Sequence, residues 1–324
     1  MRLDIKSFSL ISFFCLLSNF VAAQNSVLDP ADSLVPGRVV WVASTISSAF
    51  VGSMVGLNYL WYKEYPRSPF HFFNDNKEWL QIDKVGHMQT AYFQSYWSMK
   101  ALQWAGIEKK KAAYHGAAMG FFFQSTIEML DGLSSEWGAS PGDILANGVG
   151  SMAMLSQELL WEEQKMIFKF SMHDVEYPEG MYRERAKQLF GDKFIHRMLK
   201  DYNGQVYWAS LNLSSVFPGQ QKFKWLNIAV GYGAGDMYGG FKNEWVRDDE
   251  LKIVYPAERY RKFFLSIDAD LSRIPLKRKG YKPLLYMLNI IKIPAPALEF
   301  NTKGQIIFHP VYFLSLDFPI TIKK

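Results

Sequence analysis

Cysteine is almost missing from these 324 residues: Cys15 stands alone. A disulfide scaffold is thereby excluded, as is a thiolate metal cluster built within one chain. Charge is modest at 21% of residues, and neither sign dominates, with 36 Lys and Arg against 31 Asp and Glu. The resulting +5 gives no reason to expect nucleic acid and is compatible with an anionic membrane surface. The chain also lacks repeat arrays, low-complexity tracts, a phosphate loop and a serine nucleophile elbow. Gly231-Tyr232-Gly233-Ala234-Gly235 follows a strand pattern, but no helical pattern comes after it, so it is not a dinucleotide fingerprint. A mean hydropathy of −0.09 is too low for an all-helical transporter. A hydrophobic content of 49% is too high for a disordered chain. No motif names a cofactor or a protein partner. Aromatics are what the chain has in quantity: 10 Trp, 17 Tyr and 25 Phe.

The first 23 residues read as a secretory signal peptide. Arg2 and Lys6 supply the positive start, Phe8 to Phe20 the apolar stretch, and Val21-Ala22-Ala23 the small residues before a cleavage point. An uncleaved anchor helix is the competing reading. Lipoprotein processing at Cys15 is disfavoured by the bulky Phe13 and Phe14 that precede it. Cleavage after Ala23 leaves a mature chain without cysteine, destined for the cell envelope, in the periplasm or at the outer membrane.

Residues 36–165 carry a helical pattern of four segments. Val39 to Trp61 is an uncharged run long enough to span a bilayer. Within it Ser44, Ser48, Gly52 and Gly56 recur every four residues, a small stripe against which another helix can pack. Helices are expected over about 83–104, 112–130 and 140–161. In the third of the four, Ala112, Gly116 and Gly120 repeat the small stripe. The fourth opens with Ser140-Pro141-Gly142-Asp143, where Ser140 can cap and Asp143 meets the helix dipole. A charged connector is expected over 166–203, with an amphipathic helix over 181–200 that packs on its own domain or lies on anionic lipid.

From residue 204 to 324 the period changes to two. Strands are expected over Gln205–Ser214, Trp225–Tyr232 and Phe263–Leu271. A hairpin is expected over Glu299–Phe308, turning at Asn301 to Gly304, and a further strand over Val311–Leu316. Lys279 to Pro294 interrupts them with a more helical segment. Aromatics near the strand ends resemble the girdles of outer-membrane barrels, but about six strands fall short of the eight of even a small barrel. The expected fold is therefore α+β: an N-terminal helical bundle of about four helices packed through small residues, then a C-terminal antiparallel β region. That region would be a membrane-associated sheet or a small partial barrel.

Ionisable groups sit inside the otherwise apolar helices. Asp83 and His87 are four apart, with Lys84 beside them; Gln124, Glu128 and Asp131 continue the stripe of Gly116 and Gly120; Asp143 and Asn147 are again four apart. At these spacings the groups share helix faces and point at neighbouring helices. One buried pocket could gather them all. A histidine and lysine among buried carboxylates suit acid–base work, and a histidine with several carboxylates could hold a hard or borderline divalent metal. Each residue also has a structural reading. Asp83 and Asp143 could cap helix starts, Lys84 could neutralise Glu128 or Asp131, and Asn147 could tie helices together. His115 reads as a local hydrogen-bonding histidine, and His71, His173, His196 and His309 as incidental.

The run Asp83-Lys84-x-x-His87, then Glu128, Asp131-Gly132, then Ser140-x-x-Asp143-x-x-x-Asn147-x-x-Gly150 resembles the YfiM-type periplasmic lipoproteins, a domain of unknown function (DUF2279). More distantly it is similar to VanZ-like membrane proteins. The resemblance covers about residues 36–165 and implies location and fold; neither family brings an established reaction. Two functions are therefore carried forward. One is a structural or binding protein at the outer membrane, with a lipid surface and an envelope lipid or glycan as partners. The other is an envelope lipid or glycan hydrolase, possible metal assistance included, in which His87 is the base, Asp83 orients it, and Glu128, Asp131 and Asp143 serve as acids or ligands.

Overall fold

Pro36 sits in the first turn of α1 (Pro36–Leu57), where its missing N–H costs nothing. The computed structural model describes residues 29–63, 65–217, 223–247, 251–276, 279–312 and 318–320. The expected signal segment and Cys15 lie outside them, as does most of the strand expected over 311–316. α1 ends in a π-helical turn, Asn58–Tyr62. It is followed by a 3-10 turn (Glu78–Gln81), α2 (Ile82–Trp104), α3 (Lys109–Asp131) and α4 (Pro141–Trp161). All four expected helices are present.

Three of them make the bundle: α2, α3 and α4 pack on one another. Their close approach depends on small residues. A Cβ on Gly120 would lie 2.1 Å from Ser95 Oγ, and one on Gly150 1.9 Å from the Met88 carbonyl oxygen. The core between them is Tyr92, Phe93, Met99, Ala112, Ala113, Ala117, Met154 and Leu155, closed by Phe168 from the first strand. The stripe on α1 behaves differently. Nothing lies within 4 Å of a Cβ placed on Gly52 or Gly56, and Ser44 and Ser48 are exposed. α1 touches the bundle edge through Trp41 on Trp104 and Phe50 on Phe122 and Phe123, and Val42 is its one buried residue.

The β half is an antiparallel sheet of seven strands in the order β1-β2-β3-β6-β7-β8-β9. The strands are β1 (Met166–Met172), β2 (Gln205–Asn212), β3 (Leu226–Gly235), β6 (Tyr260–Ala269), β7 (Ala297–Asn301), β8 (Ile306–His309) and β9 (Phe318–Ile320). A separate hairpin joins β4 (Glu244–Arg247) to β5 (Leu251–Val254). Among the described residues the sheet does not close. The segment 290–292 pairs with the β1 edge at Phe170.

The stretch read as a charged connector differs from expectation. It begins with β1, and its helical part is two helices, α5 (Met181–Phe190) and α6 (Phe194–Lys200). Gly191 separates them at φ 79°, a conformation that ends a right-handed helix. A single turn, α7 (Leu213–Val216), follows β2, and α8 (Lys282–Leu288) occupies the segment read as more helical.

The faces of the sheet are inverted relative to a soluble sandwich. Register aligns Phe170, Tyr207, Tyr232, Phe263, Phe300, Ile306 and Ile320 in one row across all seven strands. Phe168, Ala209, Val230, Leu265, Leu298, Phe308 and Phe318 form the next row on the same face. The helical bundle covers this apolar face at β1 and β2, where Phe168 and Ala209 join its core. Beyond them it is open: Val230 is 56% exposed, Phe263 47%, Leu265 44% and Ile267 53%. The opposite face is buried and polar, holding Lys169, Ser210, Asn212, Asn227, Asp268 and Glu299 beside Trp208 and Phe264. Asp268 accepts from Ser210 Oγ at 2.6 Å and pairs with Lys169 Nζ at 3.0 Å, and Asn227 donates to Ser210 at 2.8 Å.

Candidate functional site

The turn before α2 sets the site. Trp79, Leu80 and Gln81 follow one another at φ 45°, 51° and 64°. Left-handed conformations cost non-glycine residues about 1 kcal/mol or more each, so this turn persists only because other parts of the fold hold it. The β half does so. Trp79 N–H donates to the Gly240 carbonyl at 2.7 Å, Tyr232 donates its hydroxyl to the Leu80 carbonyl, and Arg261 donates to Gln81 Oε1 at 2.6 Å. α2 then starts in the orientation that sends Asp83, Lys84 and His87 towards α3 and α4.

Lys84 lies at the centre of the first half of the cluster. Its ammonium is 2.7 Å from Asp75 Oδ2, 2.8 Å from Asp143 Oδ2 and 3.7 Å from Asp83 Oδ2. Its partners are therefore not Glu128 or Asp131, as the spacing allowed, but a loop aspartate and the aspartate of α4. Ser140 joins them, donating its hydroxyl to Asp75 Oδ1 at 2.5 Å while accepting from Asp143 N–H at 3.1 Å. Ser140 is thus the cap of α4, and the Asp143 carboxylate is released from capping to face Lys84. Tyr202, 119 residues along the chain, donates to Asp83 Oδ1 at 2.7 Å.

His87 lies at the centre of the second half. Its Nδ1 is 3.2 Å from Asn147 Oδ1, 3.3 Å from Gln124 Nε2 and 3.5 Å from Glu128 Oε1. The other Glu128 oxygen accepts from Ser140 N–H at 2.9 Å. Asp131 stands at the margin, accepting from Tyr62 at the end of α1 at 2.7 Å. One ligand atom each from Asp83, His87 and Asp143 lies within 4.8 Å of the others. The structure thus places all seven sequence-indicated residues in one region between α2, α3 and α4. Gln124 and Ser140, also marked by the sequence, join them, and the structure adds Asp75, Tyr62 and Tyr202.

The electrostatics of this region are unbalanced. Asp75, Asp83, Glu128, Asp131 and Asp143 surround one lysine and one histidine. Burial pushes the Glu128 carboxyl up to about 8, with Asp143 and Asp131 adding to the effect of burial and His87 opposing it. Burial and then Asp83 push Asp143 up to about 7, against the pull of His87 and Lys84. Burial raises Asp131 to about 6, against its hydrogen bond from Tyr62. Burial would lower His87, but Asp83, Asp143 and Glu128 outweigh it and hold the imidazole above its ordinary value. Lys84 is likewise held above its ordinary value by Asp83, Asp143 and Asp75 against its burial. Several buried atoms also have no hydrogen-bond partner among the described residues: Asp143 Oδ1, Glu128 Oε1, Gln124 Oε1 and Asn147 Nδ2. Such groups are costly, about 1–3 kcal/mol each, and all four belong to residues of this one cluster.

Residues 71–159 match the family described as predicted periplasmic lipoprotein, DUF2279. The matched segment contains every one of the seven sequence-indicated residues, all of α2 and α3, and α4 up to residue 159. Its description agrees with an exported protein of the cell envelope. Tyr62 and Tyr202, which reach into the same cluster, lie outside the matched residues. No curated protein and no solved structure matches the chain.

Of the remaining histidines, His115 is exposed. His309 is more than incidental: it is buried and lies 3.1 Å from Glu299 Oε2 across the β7–β8 hairpin. Ten residues separate the two in sequence, and hairpin register brings them together. A cavity of about 170 Å³ opens beside the cluster, lined by Asn58, Tyr62, Lys63, Arg67, Leu133 and neighbours.

Proposed function

We propose that this exported envelope protein is seated at a membrane and carries a buried binding centre between α2, α3 and α4. The membrane seat is supported chiefly by the inverted sheet. Water favours a sheet with its apolar face covered and its polar face outward; here the polar face is buried and the rows through Val230 and Phe263 are open. Apolar-out, polar-in alternation is what a lipid environment selects. β3 and β6 have 10 residues each, about 33 Å at the usual rise, comparable with the hydrocarbon thickness. α1 supports the same reading, since its Pro36–Tyr62 stretch is apolar and only 6% of its most hydrophobic window is buried.

The experiment is flotation of purified protein with vesicles of envelope lipid. Wild type is expected to rise with the vesicles, and Val230→Lys with Leu265→Lys to leave a larger share of the protein in the soluble fraction. A wild type that stays soluble without detergent and ignores the vesicles overturns the membrane seat.

The binding centre is supported by the uncompensated carboxylates. Glu128→Gln is nearly isosteric, keeps an oxygen for Ser140 N–H and removes a buried ionisable carboxyl. In a cluster kept for a ligand, this variant should raise the melting temperature by several degrees, as relief of functional strain does. In a purely structural cluster it should lower it. A hydrolase is the second reading, favoured by the cavity whose wall residue Tyr62 bonds Asp131. It requires that purified protein release soluble headgroups or glycan fragments from envelope membranes and that His87→Gln abolish the release.

A further inference from the structure

We propose that Asp83, His87 and Asp143 form a site for one borderline divalent cation, of the Zn2+ or Mn2+ class. This rests on reading the cluster as a binding centre and names its ligand. The three side chains already bring one donor atom each to within 4.8 Å of the others. Bonds of about 2.0–2.2 Å to a common tetrahedral ion place donors about 3.3–3.6 Å apart, a closure of up to about 1.5 Å from here. A cluster of acids alone would be poor grounds, because acids gather wherever a lysine can hold them. What distinguishes this one is how its oxygens are used.

Each aspartate has one oxygen held by a hydrogen bond and one without a hydrogen bond among the described residues. Asp143 Oδ2 is held by Lys84 at 2.8 Å, while Oδ1 has no hydrogen-bond partner among the described residues although Asp143 is only 2% exposed. Asp83 Oδ1 is held by Tyr202 at 2.7 Å, while Oδ2 lies 3.7 Å from Lys84, beyond a hydrogen bond. His87 is treated in the same way. Its Nδ1 faces Asn147, Gln124 and Glu128, which leaves Nε2 as the nitrogen free to coordinate. A carboxylate and amides behind the far nitrogen of a ligating imidazole, and hydrogen bonds on the far oxygen of each ligating carboxylate, form the outer shell that orients metal ligands. Lys84 has an anchor outside the three ligands, Asp75 at 2.7 Å from its ammonium.

The donor set selects the cation. Mg2+ and Ca2+ favour all-oxygen shells, and no thiolate is present for soft metals, whereas one imidazole and two carboxylates suit Zn2+, Mn2+ or Fe2+. The ion also adds positive charge to a region where five carboxylates, Glu128 and Asp143 buried among them, meet one lysine and one histidine.

The test uses full-length protein in detergent after chelator treatment, titrated with Zn2+ and with Mn2+ by calorimetry, with Co2+ as a visible-absorption probe. One cation per chain should bind at micromolar or lower Kd and raise the melting temperature. His87→Gln and Asp143→Asn should each weaken binding by about 10- to 100-fold. Glu162→Gln, an exposed change away from the site, should leave it unaltered. Zn2+ should also shield His87, but not the exposed His115, from diethylpyrocarbonate, a readout on wild-type protein that does not depend on any variant folding. Absence of saturable binding overturns the proposal, as does binding that both variants retain. If Glu128→Gln is stabilising and no cation binds, the cation assignment falls while the binding centre stands.

Discussion

Gly150 has no side chain because there is no room for one. With Met88 O 1.9 Å from where a Cβ would stand, the obstacle is backbone and cannot rotate away. Gly150→Ala must push α4 from α2, and overpacking of this kind costs about 1–3 kcal/mol or more. Because His87 lies one residue before Met88, the same displacement should also loosen the His87–Asn147 contact. A melting temperature several degrees below wild type, together with weakened cation binding, is the expected outcome. Lys292 is a second single-residue case. It is fully buried, donates to the Ile267 and Ile293 carbonyls at 2.9 and 3.0 Å, and sits 3.8 Å from Asp268. Burial depresses its pKa from 10.5 to about 8, against the pull of Asp268. Between those values the unfolded chain holds a proton that the folded chain has lost, so stability rises with pH. By pH 9.5 the gain is about 1–2 kcal/mol. Urea midpoints at pH 7.5 and 9.5 should show the rise in wild type and not in Lys292→Met, and equal slopes in both would refute it.

At the scale of elements, the consequential one is the left-handed turn Trp79–Gln81, because two halves of the protein meet there. The sheet residues Tyr232 and Arg261 hold it, and Arg261 Nε also bonds the Tyr232 hydroxyl at 3.1 Å. Tyr232→Phe removes the donor to the Leu80 carbonyl and should cost about 1 kcal/mol. Hydrogen exchange at the Trp79 to Ile82 amides should accelerate while the α3 amides stay protected. None of this was legible in sequence, since three ordinary residues in the left-handed region carry no local signal. Asp75 was missed for a related reason: it lies in a loop without period, and only its contact with Lys84 marks it. The helices were legible because they bury a face, and the spacing of Gln124, Glu128, Asp143 and Asn147 shows which face. The small stripe of α1 misled, because Ser and Gly at every fourth position permit a close approach without supplying a partner. On α3 the same signal was right because α2 is there to meet Gly116 and Gly120.

For the whole molecule, alternation along β3 and β6 revealed two unlike faces but not which one would be inside; that depends on the surroundings, which a period of two does not encode. Burial of the Lys169–Asp268 network decides it, and leaves two apolar surfaces open, the sheet rows through Val230 and Phe263 and the length of α1. If both sit in one bilayer, they act as linked anchors, and loss of one leaves the other holding the chain at high local concentration. A charged residue at the centre of a membrane helix costs about 2.5–3.5 kcal/mol on insertion scales, so Val51→Lys with Val55→Lys should strongly weaken the α1 anchor. These changes should not disturb the fold, since both positions are more than half exposed. In vesicle flotation, the α1 pair alone and the sheet pair alone should each raise the soluble fraction, and the four changes together should exceed the sum of the two effects. Strict additivity would mean that the two surfaces do not share a membrane. Release by the α1 pair alone, as complete as by all four, would assign the whole seat to α1 and leave the open sheet face to another partner.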